Sequence, residues 1–340
     1  MSRGSRRVDW LSVRESGTLR GLRFLAFTLT YVGRAPARFM LYFVSLYYLL
    51  RHGVARRASR DFLTRAGHPA GWLWQWRHIT RFAHAALDRV AFVSGHASRF
   101  DITRTGSHHL DALHEQQRGA LLIGAHLGSF EAMSASGRAE RPQPLNVVVN
   151  EANAKRMGEL LSSLDPQRSA HFISLEGSPV VAALEIRDRI EAGELVALLA
   201  DRIGDENDTV TVDFFGAPAR FPKGPFALAA ALKCPVYLTF GLYRGGRRYD
   251  LFCEPFADPL RLERKDRAGA IARVVARYAE RLEEYARREP LNWFNFYDFW
   301  EGGEASRSAQ ESLAASSSAS RAVPRASSLP AHASREEHPA

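Results

Sequence analysis

Four short apolar runs after Arg118 constrain the fold of this chain more than any other feature of its sequence. Each run has five or six residues and is predominantly apolar. Continuous runs of this length are typical of strands with both faces buried. Helical segments at 152–164 and 180–192 lie between them, so we predict an α/β fold in which helices flank a sheet. The runs are ALLIGA (120–125), LNVVV (145–149), HFISL (171–175) and LVALLA (195–200).

Later elements and the change in composition complete the predicted organisation. Strands are predicted at 209–214, 236–241 and 249–254, and a long amphipathic helix carries apolar residues at helical spacing from Ile271 to Tyr285. We therefore divide the chain into three regions: a basic, apolar helical membrane-associating region at 1–100, an α/β domain at 101–302, and an Ala/Ser-rich tail at 303–340. We expect the tail to be disordered.

Positive charge is concentrated at the N-terminus. Residues 1–60 hold twelve arginines against Asp9 and Glu15, a net charge of +10, so the remaining 280 residues of this chain of net charge +9 are nearly neutral. These arginines bracket apolar stretches at 24–33 and 39–50, each shorter than the ~20 residues that cross a bilayer. The pattern predicts helices that lie on an anionic membrane surface, with a buried helical hairpin as the alternative. It does not resemble a nucleic-acid-binding face, and we expect no nucleic-acid partner.

The segment GAHLGSFE (124–131) carries the candidate chemistry. His126 follows a predicted strand, and Glu131 lies in the first turn of the helix after it. Carboxyl ends of strands are where open α/β sheets bind ligands. Positions five apart on one helix point ~140° away from each other, but a turn at Gly128 can bring the two side chains together. We therefore predict that His126 is a general base and that Glu131 orients it.

This chemistry does not require a protein nucleophile. Ser129 is better placed to start the helix than to be acylated, and the sequence has no GxSxG elbow. Main-chain N–H groups at the helix start are the predicted oxyanion donors, an effect often worth ~3 kcal/mol per donor. His108, His109 and His114 lack matching cysteine or carboxylate ligands, so we interpret them as surface residues and predict no metal or other cofactor.

Around this motif the chain resembles the lipid A biosynthesis acyltransferase family, the late lauroyl and myristoyl transferases. These belong to the glycerolipid acyltransferases, which share a His-x4-Asp/Glu motif. The resemblance extends over roughly residues 20–300. It also includes GELVALLAD (193–201), FFGAP (214–218) with Gly224 and the apolar 227–232, and the basic N-terminal region.

This resemblance implies a glycerolipid-acyltransferase-like mixed sheet and a protein at the cytoplasmic face of the inner membrane, peripheral or monotopic. The implied donor is an acyl carrier protein thioester, with coenzyme A as the alternative, and the acceptor is a hydroxyl of a glycolipid or lysophospholipid. Asp201 becomes an expected active-site carboxylate. Arg168, Arg202 and Lys223 are candidate contacts for anionic substrate groups.

Two departures from the family pattern concern the acceptor. Arg202 follows Asp201 where the family often has a second polar or acidic residue, and FPKG (221–224) replaces a threonine-containing stretch. Both indicate a specialised acceptor lipid. A lipid-binding relative without catalytic activity is the alternative function, and the intact His126 and Glu131 favour the enzyme.

Overall fold

The computed structural model describes residues 33–93, 95–140, 143–149, 171–174, 178–204 and 207–300. The helices in this part of the chain are α1 (Arg34–Arg51), α2 (Gly53–Arg65), α3 (Trp72–Val93), α4 (Ser107–Glu115), α5 (Phe130–Glu140), α6 (Pro179–Glu191), α7 (Gly224–Leu232) and α8 (Arg267–Arg288). The strands are β1 (Asp101–Thr105), β2 (Ala120–Gly124), β3 (Leu145–Val149), β4 (His171–Ser174), β5 (Leu195–Leu199), β6 (Thr209–Phe214), β7 (Ala217–Pro222), β8 (Val236–Gly245) and β9 (Arg248–Ala257).

Seven of these strands form one mixed sheet in the order β1-β9-β8-β2-β5-β3-β4. Strands β8 and β9 pair antiparallel, and every other neighbouring pair in this sheet is parallel. Strands β6 and β7 form a separate antiparallel ribbon. The predicted α/β fold with a helix-flanked mixed sheet is confirmed.

All four apolar runs form strands, as predicted. The helix expected at 180–192 is α6, whereas the one expected at 152–164 lies outside the described residues. Strands β8 and β9 extend beyond their predicted bounds because they pair with each other along most of their length. Strand β1 was not predicted, since its sequence DITRT forms an exposed edge and contains no apolar run.

The register of β2 against β5 positions the candidate site. The two strands are parallel, with Ala120 opposite Leu195 and Gly124 opposite Leu199. Most of their side chains are buried, because the two strands lie in the middle of the sheet. Residues that leave β2 and β5 at the same distance past their ends therefore emerge side by side at one edge of the sheet.

The helical prediction for 39–50 is confirmed by α1, which packs one face against α3. Arg34 and Asp88 join the two helices through a bidentate ion pair, with both N–O distances at 2.7 Å. The opposite face of α1 is exposed. Residues 1–32 and the tail from 303 lie outside the described residues. Within the described ranges, no helix combines the length and hydropathy that a membrane crossing requires.

Candidate active site

His126 and Asp201 lie together at the carboxyl edge of the sheet. Each follows its strand by two residues, so the β2–β5 register places them opposite each other. His126 Nδ1 lies 2.8 Å from Asp201 Oδ1, and the main-chain N–H of His126 donates to Asp201 Oδ2 at 2.9 Å. The Asp201 side chain is fully buried, while that of His126 is 28% exposed. A substrate can therefore reach the histidine but not the carboxylate.

The charges around the pair favour a neutral imidazole beside an ionised carboxylate. Burial lowers the pKa of His126, and the positive charges of Arg202 and Arg89 lower it further, against the opposing effect of Asp201. Burial alone would raise the pKa of Asp201, but His126, Arg202 and Asn295 together hold it below its ordinary value. An ionised carboxylate only accepts hydrogen bonds, so Nδ1 carries the proton and Nε2 is left as a proton acceptor.

Asn295 and Arg202 surround the buried carboxylate. Asn295 Nδ2 donates to Asp201 Oδ2 at 2.8 Å, and Arg202 Nε donates to Asn295 Oδ1 at 2.9 Å. Arg202 Nη2 donates to the carbonyl of Phe294 at 3.2 Å. Arg202 therefore lies beside the His126–Asp201 pair, and two of its nitrogens bind the protein itself.

Glu131 does not occupy the predicted position. Its Oε1 lies 2.7 Å from Arg89 Nε on α3, and this contact is an ion pair without the alignment of a hydrogen bond. Ser129 Oγ donates to the other carboxylate oxygen, Oε2, at 3.3 Å. No hydrogen bond or ion pair joins it to His126 within the described residues. The carboxylate on Nδ1 is Asp201, because the strand register fixes Asp201 there whereas the first turn of α5 directs Glu131 toward α3.

The turn after His126 has the predicted form. Gly128 has φ +75°, and a Cβ at this position would lie 1.9 Å from the carbonyl oxygen of Gly241. Ser129 starts α5 as predicted, because its Oγ accepts from the N–H of Ala132 at 3.1 Å.

Only some N–H groups near this turn are available to a substrate. Those of Gly128 and Ser129 donate to the carbonyls of Asn292 and Gly241 at 2.8 and 2.7 Å. No hydrogen bond within the described residues uses the N–H of Phe130 or Glu131. The first two N–H groups of α5 are therefore the remaining donors at this helix start.

Of the two other predicted anion contacts, the one that the structure describes lies apart from the pair. Lys223 precedes α7 and forms an ion pair with Asp208 at 3.5 Å, and none of its contacts in the described part reaches His126 or Asp201. Arg168 lies outside the described residues.

Sequence reasoning missed Arg89 and Asn295. Nothing in the sequence distinguishes Arg89 from the many other arginines of the first 100 residues. Asn295 had a weak signal, since it is an amide between two aromatic residues, Phe294 and Phe296.

Fold and site together define an α/β protein with a partly exposed histidine held by a buried aspartate at the carboxyl edge of its sheet. A family model described as bacterial lipid A biosynthesis acyltransferase matches residues 76–301, so the chain belongs to this family. The matched range contains every site residue named above.

Two curated relatives agree with this assignment. Both are named phosphatidylinositol mannoside acyltransferase, from Mycobacterium tuberculosis strains ATCC 25618 / H37Rv and CDC 1551 / Oshkosh. Each is 24% identical to this chain over 226 residues. The aligned part covers 66% of this chain and 66% of each relative.

Proposed function

We propose that this protein transfers a fatty acyl group from an acyl carrier protein thioester, or from a coenzyme A thioester, to a hydroxyl of a glycolipid or lysophospholipid. The 2.8 Å contact between His126 Nδ1 and Asp201 Oδ1 carries the proposal. It leaves Nε2 of this partly exposed side chain unprotonated and able to take a proton.

The reaction proceeds in two steps. Nε2 of His126 takes the proton of the acceptor hydroxyl as the oxygen bonds to the thioester carbonyl carbon. The tetrahedral intermediate then re-forms the carbonyl, the C–S bond breaks, and the leaving thiolate takes the proton from the imidazolium. The products are an ester and a free thiol, and His126 is neutral again. Asp201 stabilises the imidazolium that exists between the steps.

Glu131 has a different role from the one expected from the sequence. Its ion pair with Arg89 links α5 to α3 beside the histidine, so we assign Glu131 to holding the site's shape. The N–H groups of Phe130 and Glu131 are the proposed donors to the oxyanion, because the neighbouring N–H groups are already bonded.

Support for a glycolipid acceptor comes from the relatives, which are named for phosphatidylinositol mannoside. An acceptor with a phosphate group needs cationic contacts, and Arg168 and Lys223 are the candidates we retain. Arg202 is a weaker candidate, since Asn295 and Phe294 already bind two of its nitrogens.

The exposed face of α1 supports docking at the cytoplasmic face of the inner membrane. Phe39, Phe43 and Tyr47 are each exposed by 62–63%, and Leu50 by 68%. Exposed arginines from Arg51 to Arg60 follow directly in the chain. An apolar face with adjacent basic residues suits an anionic lipid surface, where apolar side chains enter the headgroup region and arginines contact phosphate.

The test is acyl transfer from radiolabelled acyl carrier protein to total bacterial membrane lipids. We expect labelled lipid with the wild-type protein and with His114→Ala, an exposed histidine outside the site, but none with folded His126→Ala. The labelled lipid then identifies the acceptor. Labelling by His126→Ala at the wild-type rate contradicts the mechanism. No labelling by any variant, with several chain lengths and with coenzyme A thioesters, favours the lipid-binding alternative.

A further inference from the structure

The segment 292–295 lies across the end of β2 and holds the backbone around His126. Phe294 N–H donates to the carbonyl of His126 at 2.8 Å, and Gly128 N–H donates to the carbonyl of Asn292 at 2.8 Å. Leu127 and Trp293 thereby form an isolated antiparallel bridge. This segment is nearly 170 residues away in sequence, yet it is part of the wall of the site.

Asn295 is the member of this segment whose side chain enters the site. It is 2% exposed, and its amide lies between the Asp201 carboxylate and the Arg202 guanidinium. A carboxylate only accepts hydrogen bonds and a guanidinium only donates them. The NH₂ group therefore faces Asp201 and the carbonyl oxygen faces Arg202, and the reverse orientation would break both hydrogen bonds.

This arrangement separates two groups that would otherwise pair. Arg202 directly follows Asp201 in the chain, and a guanidinium is a strong bidentate partner for a carboxylate. Its Nε and Nη2 instead bind Asn295 Oδ1 and the carbonyl of Phe294. Both Asp201 oxygens meanwhile accept from His126, one from the ring and one from the main chain.

We propose that Asn295 is a positioning residue for acyl transfer, which keeps Arg202 off Asp201 so that the carboxylate stays committed to His126. The inference rests on the proposed function. Asn295 touches neither reactant and acts through Asp201. When the amide is removed, Arg202 turns onto Asp201, neutralises it and weakens its bond to the imidazolium.

Steady-state kinetics of Asn295→Ala and of Asn295→Ala with Arg202→Ala test the proposal. We expect Asn295→Ala to lower kcat about tenfold to a hundredfold at nearly unchanged KM, because the lost interaction is strongest in the transition state. Removing Arg202 as well is expected to restore much of the lost kcat, since the competing cation is gone. The downfield proton resonance of His126 Nδ1–H is expected to weaken in the single variant and to return in the double variant.

Asn146→Ala is the matched control. Asn146 is 1% exposed, and its Nδ2 donates to the carboxylate of Glu194 at 2.7 Å, but it lies on β3 outside the site. Both asparagine variants are expected to lower the melting temperature, and only Asn295→Ala to change the proton resonance and kcat. If Asn295→Ala does not fold, Asn295→Ser, which retains a small polar group, takes its place.

The outcomes separate the inference from the proposed function. A double variant that is less active than Asn295→Ala assigns Asn295 to structure alone and overturns the inference. The inference is also overturned if Asn295→Ala has the wild-type kcat while His126→Ala and Asp201→Asn are inactive. Full activity in His126→Ala instead contradicts the proposed function itself.

Discussion

His126 contacts Asp201 twice, through its ring Nδ1 to one carboxylate oxygen and through its main-chain N–H to the other. The aspartate therefore fixes the position of the histidine backbone as well as the orientation of its ring. The Asp201 side chain is fully buried, and both of its oxygens accept hydrogen bonds from protein groups. In the proposed mechanism, a histidine held in this way loses little entropy on reaching the transition state.

The two acidic residues are expected to differ strongly in their effect on catalysis. Asp201→Asn is expected to lower kcat by on the order of 10³–10⁴-fold, because an amide neither fixes the tautomer nor stabilises the imidazolium. Glu131→Gln is expected to cost at most about tenfold, since its partner Arg89 is 41% exposed and such an ion pair is partly screened. Turnover of acyl carrier protein thioester by the two folded variants measures the difference. Equal losses would return Glu131 to the catalytic role expected from the sequence.

The pH dependence of activity reports the protonation of His126. The proposed mechanism requires the neutral imidazole, so we expect kcat/KM to fall as the pH falls through the pKa of the free enzyme's histidine. Burial and the nearby arginines lower this pKa from 6.5, so we expect the acid limb below pH 6.5.

Arg89→Met tests the electrostatic part of that expectation. It removes one of the positive charges that lower the pKa of His126, so the acid limb should move to higher pH. The displacement should shrink as salt is added, because Arg89 is partly exposed. Arg273→Met, on an exposed part of α8, is the control and should leave the acid limb in place. A displacement to lower pH with Arg89→Met would contradict the assignment.

The sequence predicted the strands of the site better than the pairing of its residues. The runs before His126 and Asp201 are apolar because β2 and β5 are central and buried, and burial leaves a local signal. Which strands are neighbours is not local, and neighbouring strands decide that Asp201 rather than Glu131 reaches Nδ1. Asn295 was missed for the same reason, since its contacts lie more than 90 residues away in sequence.

Two buried histidines are expected to make the fold sensitive to acid. Burial lowers the pKa of His78 to about 3 and that of His84 to about 4. The folded state disfavours their protonation, whereas the unfolded chain binds protons near pH 6.5. The contribution of these histidines to the free energy of unfolding is therefore fully present above pH 6.5 and is lost as the pH falls below it. For a group whose pKa is lowered as far as that of His78, the loss at pH 4 is roughly 3 kcal/mol.

Urea unfolding of His78→Gln measures this contribution. His78 contacts Ser59 Oγ at 2.9 Å and the carbonyl of Trp293 at 2.7 Å, so the variant should be less stable than the wild type at pH 7.5. Its unfolding midpoint should also change less between pH 7.5 and pH 5, because the titrating group is gone. His114→Gln, at an exposed position, should retain the wild-type pH dependence. An unaltered pH dependence in His78→Gln would assign the acid sensitivity to other groups.

The exposed face of α1 is expected to determine membrane binding. Replacing Phe39, Phe43 and Tyr47 together by serine removes three large side chains that are each 62–63% exposed, so the fold should be little affected. Binding to vesicles with anionic lipid should fall about tenfold or more, because burial of such side chains in the interface is lost. Added salt should weaken the wild-type binding as well, since arginine contacts with lipid phosphate are screened.

Vesicle co-sedimentation compares this variant with a matched one on another helix. Val180, Val181 and Leu184 of α6 are also apolar and exposed, by 67%, 62% and 44%, and their replacement by serine should leave binding intact. If both triple variants bind less and to the same extent, general hydrophobicity rather than α1 explains the attachment. If the α1 variant alone binds less but still acylates a detergent-solubilised acceptor, then α1 delivers the enzyme to its lipid and the His126 site carries out the chemistry independently.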